Sequence, residues 1–460
     1  MGKIFDSLKQ VIREKFEVTE YEIPSTGGTT SHSNPLTSVP SWNLDKAQSE
    51  REVVKARNFV ESNNYAKRDI SILLTNVLSD TGIMLQGSRE LRLRWGTWNS
   101  KADLDRASWF EFQNQCMRHI FRDGEVIIEY LNLDGELRLR LHDPLTCDRD
   151  MGKHGIKLDS KRQPIEYYFK GRSNTSIAIP AERILHVYVK EYVDQVRGLS
   201  WMRTLKEPLT NLKTYQNSVV VNATANVMSG GLIKIPDARN PRQTTKAEVN
   251  RIVDLRPGQR MIVGKDTEYE AFETDFPAGA YAEIRRGELG EAAAGVNLSQ
   301  FAQSGDLDKA NFSSLRQGRI EDVANYKRIQ NIAKDINSHI FSMWADFYRI
   351  TSREVANALR GGMPVWVAPG HQYIEPVKEN QAIIMLIDKG LEARSSRIIE
   401  MGRNPEEVFD RIIDDYNYFI EKNAPPELIS AIFGVSPSVP TPSEQEEKDD
   451  NEDEEQEVDE

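Results

Sequence analysis

Apolar residues along this chain recur with two periods, and the changes of period divide it into parts. In "SEREVVKARNFVESNNYAKRDISILLTNVLSDTG", Val53, Ala56, Phe59 and Val60, then Ile70, Leu73, Leu74 and Val77, fall at helical spacing. The pattern predicts two helices broken at Asn63 and Asn64, with Gly82 ending the second. After Gly82 "GIMLQG" reads as a strand and "DRASWFEFQNQCMRHIFRDG" as a helix closed by Gly124. In "EVIIEYLNLDGELRLRLHDP", Val126, Ile128 and Tyr130 alternate, "LDGE" turns, and Leu137, Leu139 and Leu141 alternate again, which predicts a β-hairpin. "GIKLDSKRQPIEYYFK" and "ILHVYVK" add further strands.

The helical period returns over 204–228, where Leu205, Leu209, Leu212, Gln216, Val219, Val220, Ala223 and Val227 share one face and Gly230 and Gly231 stop it. A compact unit then reads strand, short helix, strand, strand, and 278–296 is helical again. Next comes the polar stretch "GDLDKANF", followed by a long helix over 314–347 with Ile320, Val323, Ile329, Ile332, Ile336, Ile340 and Trp344 as its apolar stripe. Ser314 and Gln317 have the spacing of a capping box, and Phe312 is expected to pack on that helix and fix the base of the loop. Residues 376–433 are mostly helical, so the fold class is α+β, without internal repeat.

Charge sharpens the two ends. The chain carries −12 overall, and residues 444–460 hold twelve acids and one Lys; removing that −11 leaves −1 for the rest. The segment 434–460 therefore reads as a disordered acidic tail, too polar to offset the entropy of ordering. Residues 1–47 read as a short amphipathic helix followed by a Pro-, Gly- and Ser-rich arm, with no signal-peptide core. No apolar run is long enough to span a membrane. Cys116 and Cys147 form no C-x-x-C, which suits a reducing cytoplasm.

Catalytic chemistry finds little purchase. "GQRMIVGKD" resembles a phosphate-binding loop, but five residues separate Gly258 from Gly264 and Asp266 stands where a magnesium-binding hydroxyl belongs. "HDPLTCDRD" gathers His142, Asp143, Cys147, Asp148 and Asp150, acids of the kind a metal-dependent nuclease uses, yet strand alternation stops at His142 and a turn is the simpler expectation. There is no G-x-S-x-G, no zinc spacing and no basic DNA-reading helix. No cofactor, metal or enzymatic activity is expected.

Five stretches in order resemble a family, the lambda-type portal proteins of tailed bacteriophages, over about residues 50 to 420. They are "ARNFVESNNYAKRDISILLTNVLSDTGI", "WFEFQNQCMRHIFRDGEVII", "ILHVYVKEYVDQVRGLSWM" with Gln195, Arg197 and Gly198, "EIRRGELGEAAAGVNLSQFAQSGDLDKANFSSLRQGRIED", and "IEPVKENQAIIMLIDKGLEARSSRIIEMGRNPEEVF". The family's usual Pro after the Ala-Ala-Gly turn is missing at Asn297 and Leu298.

The resemblance implies a ring, typically of twelve copies, at one capsid vertex of the virion, assembled in the host cytoplasm. It divides the chain into an α/β wing (48–203), two stem helices (204–229 and 277–296), a small β-rich clip (230–276), a tunnel loop (297–313), a long wing helix and its return (314–375), and a helical crown (376–433). It implies double-stranded DNA passing through the channel, with the terminase large subunit, a head–tail connector and the major capsid protein as partners and no membrane. Asp306, Asp308, Lys309 and Asn311 are then expected to face DNA, and Lys246, Arg251, Arg256 and Lys265 to meet terminase from the clip. Duplex DNA carries a charge every 1.7 Å or so, and a near-neutral wall lets it slide where a basic one would hold it. A ring scaffold without DNA passage, and a nuclease built on the 142–150 acids, are the alternatives.

Overall fold

The computed structural model describes residues 46–171, 175–193, 195–228, 232–234, 268–270, 281–306, 311–362 and 364–433. The expected N-terminal helix, nearly all of the arm, the acidic tail, and Lys246, Arg251, Arg256, Lys265, Asp308 and Lys309 lie outside these residues, as does the 258–266 stretch. The chain divides into two compact units, Met1–Ile374 and Glu375–Glu460.

The first unit opens with the expected helix pair, α1 (Lys46–Ser62) and α2 (Asn64–Leu78). Asn63 separates them because its side-chain oxygen accepts the N–H groups of Tyr65 and Ala66 at 3.0 and 3.2 Å, capping α2. Strand β1 (Met84–Gln86) leads to α3 (Arg89–Asn99) and α4 (Trp109–Asp123), which Ser108 caps and Gly124 closes in the left-handed region at φ 93°. Helix α3 was not expected from the sequence, although its buried residues Leu91, Trp95 and Trp98 fall at the i, i+4 and i+7 spacing of a helix face.

Strands β2 (Glu125–Leu133) and β3 (Glu136–His142) form the predicted hairpin. Asp134 and Gly135 both have positive φ, as a two-residue type I′ turn requires. A second sheet is built from β4 (Ile156–Leu158), β5 (Pro164–Lys170) and β6 (Ser176–Pro180) in that order. Strand β7 (Ile184–Tyr188) joins the first sheet beside β2, so β2 is central and buried from Glu125 to Tyr130. The acids after β3 are occupied structurally: Asp143 caps a short 3-10 turn and binds Arg57 at 2.7 and 2.8 Å, and His142 lies 2.9 Å from Glu129. Among the described residues no group of three or more His, Cys, Asp or Glu is placed to hold a metal ion.

Two buried carboxylates fasten these parts. Asp123 is bound by Arg57, Arg122 and His119. Glu125 receives Arg197, His186 at 3.0 Å and the Gly198 N–H at 2.8 Å. Gln195 folds its own segment by accepting from the N–H groups of Glu191 and Tyr192.

Helix α5 (Lys206–Met228) follows. Short strands β8 (Leu232–Lys234) and β9 (Glu268–Glu270) then pair antiparallel, and α6 (Tyr281–Gly295) returns along α5: Thr204 just ahead of α5 bonds the Gly295 carbonyl, while Gln216 bonds Tyr281. A five-residue helix, α7 (Gln300–Ser304), precedes α8 (Phe312–Thr351), whose 40 residues reach about 60 Å at 1.5 Å per residue. Its core face is Tyr326, Ile329, Ala333, Ile336, Ile340, Phe341 and Trp344, packed on an aromatic cluster around Trp95 and Trp98. Ile320, expected in the stripe, is instead 51% exposed. The inward side is fixed by Asp322, about 200° round the helix from Ile320. Helix α9 (Arg353–Ala358) and strand β10 (Val365–Val367), which pairs with β1, complete the unit.

The second unit contains α10 (Pro376–Asp388), α11 (Arg394–Glu400), α12 (Pro405–Glu421) and α13 (Pro426–Phe433). Within it Phe433 packs edge-on against Tyr416 and Phe419, and Ile429 is buried. No described helix is long and apolar enough to cross a membrane.

Candidate channel-loop site

Of the stretch expected as one loop, 297–313, the described residues 297–306 and 311–313 form an ordered root. Helix α6 ends in a Schellman motif: the Leu298 N–H donates to the Ala293 carbonyl at 3.0 Å, and the Asn297 N–H to Ala294 at 3.2 Å. Asn297 takes the left-handed position at φ 53°, which asparagine tolerates and proline cannot adopt.

Ser299 then does two jobs. Its hydroxyl oxygen accepts the Ala302 N–H at 3.2 Å and caps α7. Its own N–H and O–H donate to the Asp322 carboxylate of α8 at 2.6 and 2.7 Å. One turn further along α8, Asn325 donates to the carbonyls of Val296 and Asn297. Gly318 makes this approach possible, since a Cβ there would meet the Ser299 Cβ at 3.1 Å.

The third support is α2. Arg68 donates to the Ala302 carbonyl at 3.3 Å, and Gln303, fully buried, donates to the fully buried Asp69 carboxylate at 2.9 Å. Burial pushes the Asp69 carboxyl up to about 7, against the Gln303 bond and the Arg68 charge, which lower it. Gln300 holds α7 to α6 through the Arg286 carbonyl at 2.7 Å, and Gly305 closes α7 at φ 66°.

These contacts decide where the expected residues go. Asp306 turns back toward α6, where its carboxylate lies 3.4 Å from Arg285. Asn311 caps α8, its side-chain oxygen accepting the Ser314 N–H at 2.7 Å. The expected Ser314–Gln317 capping box is therefore not the cap: Asn311 stands three residues ahead of Ser314, α8 starts at Phe312, and Gln317 donates to Glu321 instead. Phe312 is 57% exposed and does not brace the loop; the polar bonds of Ser299 and Gln303 do. Arg68, Asp69, Asp322 and Asn325 hold the root and carry no local motif that singles them out in the sequence. The available signal was a carboxylate or amide on the buried face of a helix, as with Asp69 in line with Leu73 and Val77.

A curated relative, the "Probable portal protein" of Halomonas phage phiHAP-1, is 20% identical over 413 residues, covering 79% of this chain and 80% of the relative. Two solved structures share the fold. The neck of a native GTA particle computed with C12 symmetry gives a TM-score of 0.50 at 13% identity, covering 77% of this chain and 94% of that one. The neck of an empty GTA particle computed with C6 symmetry gives 0.52 at 12% identity, covering 76% and 94%. The family described as "Phage portal protein, lambda family" matches residues 34–330, well over half the sequence, and the chain belongs to that family.

Proposed function

We propose that copies of this chain close into a ring at one vertex of a virion capsid, and that double-stranded DNA is packaged and ejected through its channel. The observation that carries the reading is the root itself: the residues that lead into the polar stretch 305–311, Ser299 to Gln303, are gripped by α2, α6 and α8 together. A root so gripped keeps both ends of the stretch in place under the load of moving DNA. Family membership and a fold shared with two neck assemblies support the ring.

In this reading 48–203 and 314–375 form the wing, α5 and α6 the stem, 230–276 the clip and 376–433 the crown. The clip, with Lys246, Arg251, Arg256 and Lys265, docks the terminase large subunit and later the head–tail connector, and the wing meets the major capsid protein. Asp308 and Lys309 are the tip residues that touch DNA: Asp306 is engaged by Arg285, and Asn311 is spent on the α8 cap. Lys309 meets phosphate weakly and reversibly, and Asp308 prevents tight holding. The protein itself hydrolyses nothing; the motor is the terminase. Deleting 237–270 tests the clip: the variant should fold and lose terminase docking, and docking at normal affinity would refute the assignment.

A further inference from the structure

Asp69 and Gln303 meet in a place without water access. Both are 0% exposed, and the Gln303 amide nitrogen donates to Asp69 Oδ2 at 2.9 Å. The remaining oxygens, Asp69 Oδ1 and Gln303 Oε1, are buried and have no hydrogen-bond partner among the described residues. An ionised carboxylate and an amide carbonyl only accept, so with Asp69 charged neither of these oxygens can serve the other. Buried acceptors without donors are costly, and a buried unpaired charge more so. One proton on Oδ1 mends both faults: Oδ1–H becomes a donor, and the Gln303 carbonyl its acceptor, in a two-point acid–amide contact.

We propose that Asp69 is held as the neutral carboxylic acid, and that its two-point pairing with Gln303 is a proton-dependent latch on the turn that carries the 305–311 tip.

The surroundings agree. Helix α7 itself carries no titratable side chain. On α2 the nearest charge is Arg68, which is directed to the Ala302 carbonyl. On α8, Tyr326 is buried and lies under Arg319, and Asp322 is bound to Ser299. On α6, Arg285 faces Asp306, and in the packed α1 and α4 Asp123 is bonded by Arg57, His119 and Arg122. No cation is bonded to Asp69 among the described residues, which fits a carboxyl raised to about 7 by burial from its ordinary 3.8. A raised acid binds its proton more tightly folded than unfolded. Its contribution is full below about 4 and is lost as pH rises through about 7.

The latch is a statement about the turn and stands whether or not the tip touches DNA; its value to a DNA channel rests on the proposed function. The test reads the turn alone. Hydrogen exchange of the full-length protein, corrected for the intrinsic pH dependence of exchange, is followed for the amides of 299–306 between pH 5 and 8. Wild type should lose protection by about tenfold per pH unit up to about pH 7 and then level off. Asp69→Asn offers the same donor and acceptor without titrating, so its protection should be independent of pH and exceed wild type at pH 8. A flat wild-type profile, an unchanged slope in Asp69→Asn, a variant less protected than wild type at pH 8, or one that fails to fold, would each overturn the latch.

Discussion

The Asp322 carboxylate accepts both the N–H and the O–H of Ser299, at 2.6 and 2.7 Å, and so ties the long helix α8 to the turn leaving α6. Asp322 is 3% exposed, and its removal leaves two donors of Ser299 without a partner. Asp322→Ala should cost about 2–3 kcal/mol, in line with losing hydrogen bonds to a buried charged group. Asp322→Asn, which can still accept one of the two bonds, should cost about half. Urea unfolding of wild type and both variants measures the difference.

Gly124 and Gly198 meet backbone to backbone: a Cβ on Gly198 would sit 2.1 Å from the Gly124 oxygen, and one on Gly124 would sit 2.3 Å from the Leu199 carbonyl carbon. Neither contact can be relieved by turning a side chain. Gly198→Ala and Gly124→Ala should each destabilise by about 3 kcal/mol or more, the second adding strain at φ 93°. Gly96→Ala is the control. It lies inside α3 with nothing within 4 Å, and should stabilise by up to about 1 kcal/mol. Thermal unfolding of the three variants orders them.

Stability should fall on the acid side through Glu125. Burial raises its carboxyl, but the Arg197 charge and the bonds from His186 and Gly198 outweigh this and leave it at about 2, below its ordinary 4.5. The folded pKa is depressed, so the contribution is present above about 4.5 and is lost as pH falls toward about 2. Calorimetric melting temperatures of wild type should drop across that interval. Glu125→Gln should melt lower at pH 7 and show a shallower acid decline.

The helices and the β2–β3 hairpin could be read from the chain because their signals are local: periodicity, a capping Asn63, a turn pair at Asp134 and Gly135. Helix α3 escaped although Leu91, Trp95 and Trp98 have helical spacing, because the signal rests on three positions with Gly96 among them, and β10 because a three-residue strand has meaning only beside β1. The cap of α8 was misread by three residues. Asn311 and Ser314 are equally good capping types, and only the backbone at Asn311, extended at φ −97° and ψ 160°, selects between them. The supports of the loop root could not be found by pattern, since Ser299–Asp322 and Asp69–Gln303 join residues far apart in sequence. The Gln195, Arg197 and Gly198 motif was legible as a resemblance, and the geometry supplies its cause: a buried ion pair with Glu125 and a contact that only glycine allows.

The tip should tolerate charge changes as a matter of folding and not of DNA movement. Asp308→Lys should form rings in normal yield by gel filtration and stall DNA translocation, with the stall eased by added salt as the new phosphate contacts are screened. Asp306→Lys is a different experiment, because it places a second cation beside Arg285. The pair it removes is partly exposed and worth about 0–1 kcal/mol, so the ring should again persist. A loss of rings in Asp308→Lys would identify the tip as a contact between subunits.

Cryo-electron microscopy of the purified full-length protein decides whether the chain forms a ring with residues 305–311 lining its channel. Closed rings are expected, with an open axial channel and residues 305–311 at its inner wall. Particles without closed rings, or rings with residues 305–311 on the outer rim, would contradict this.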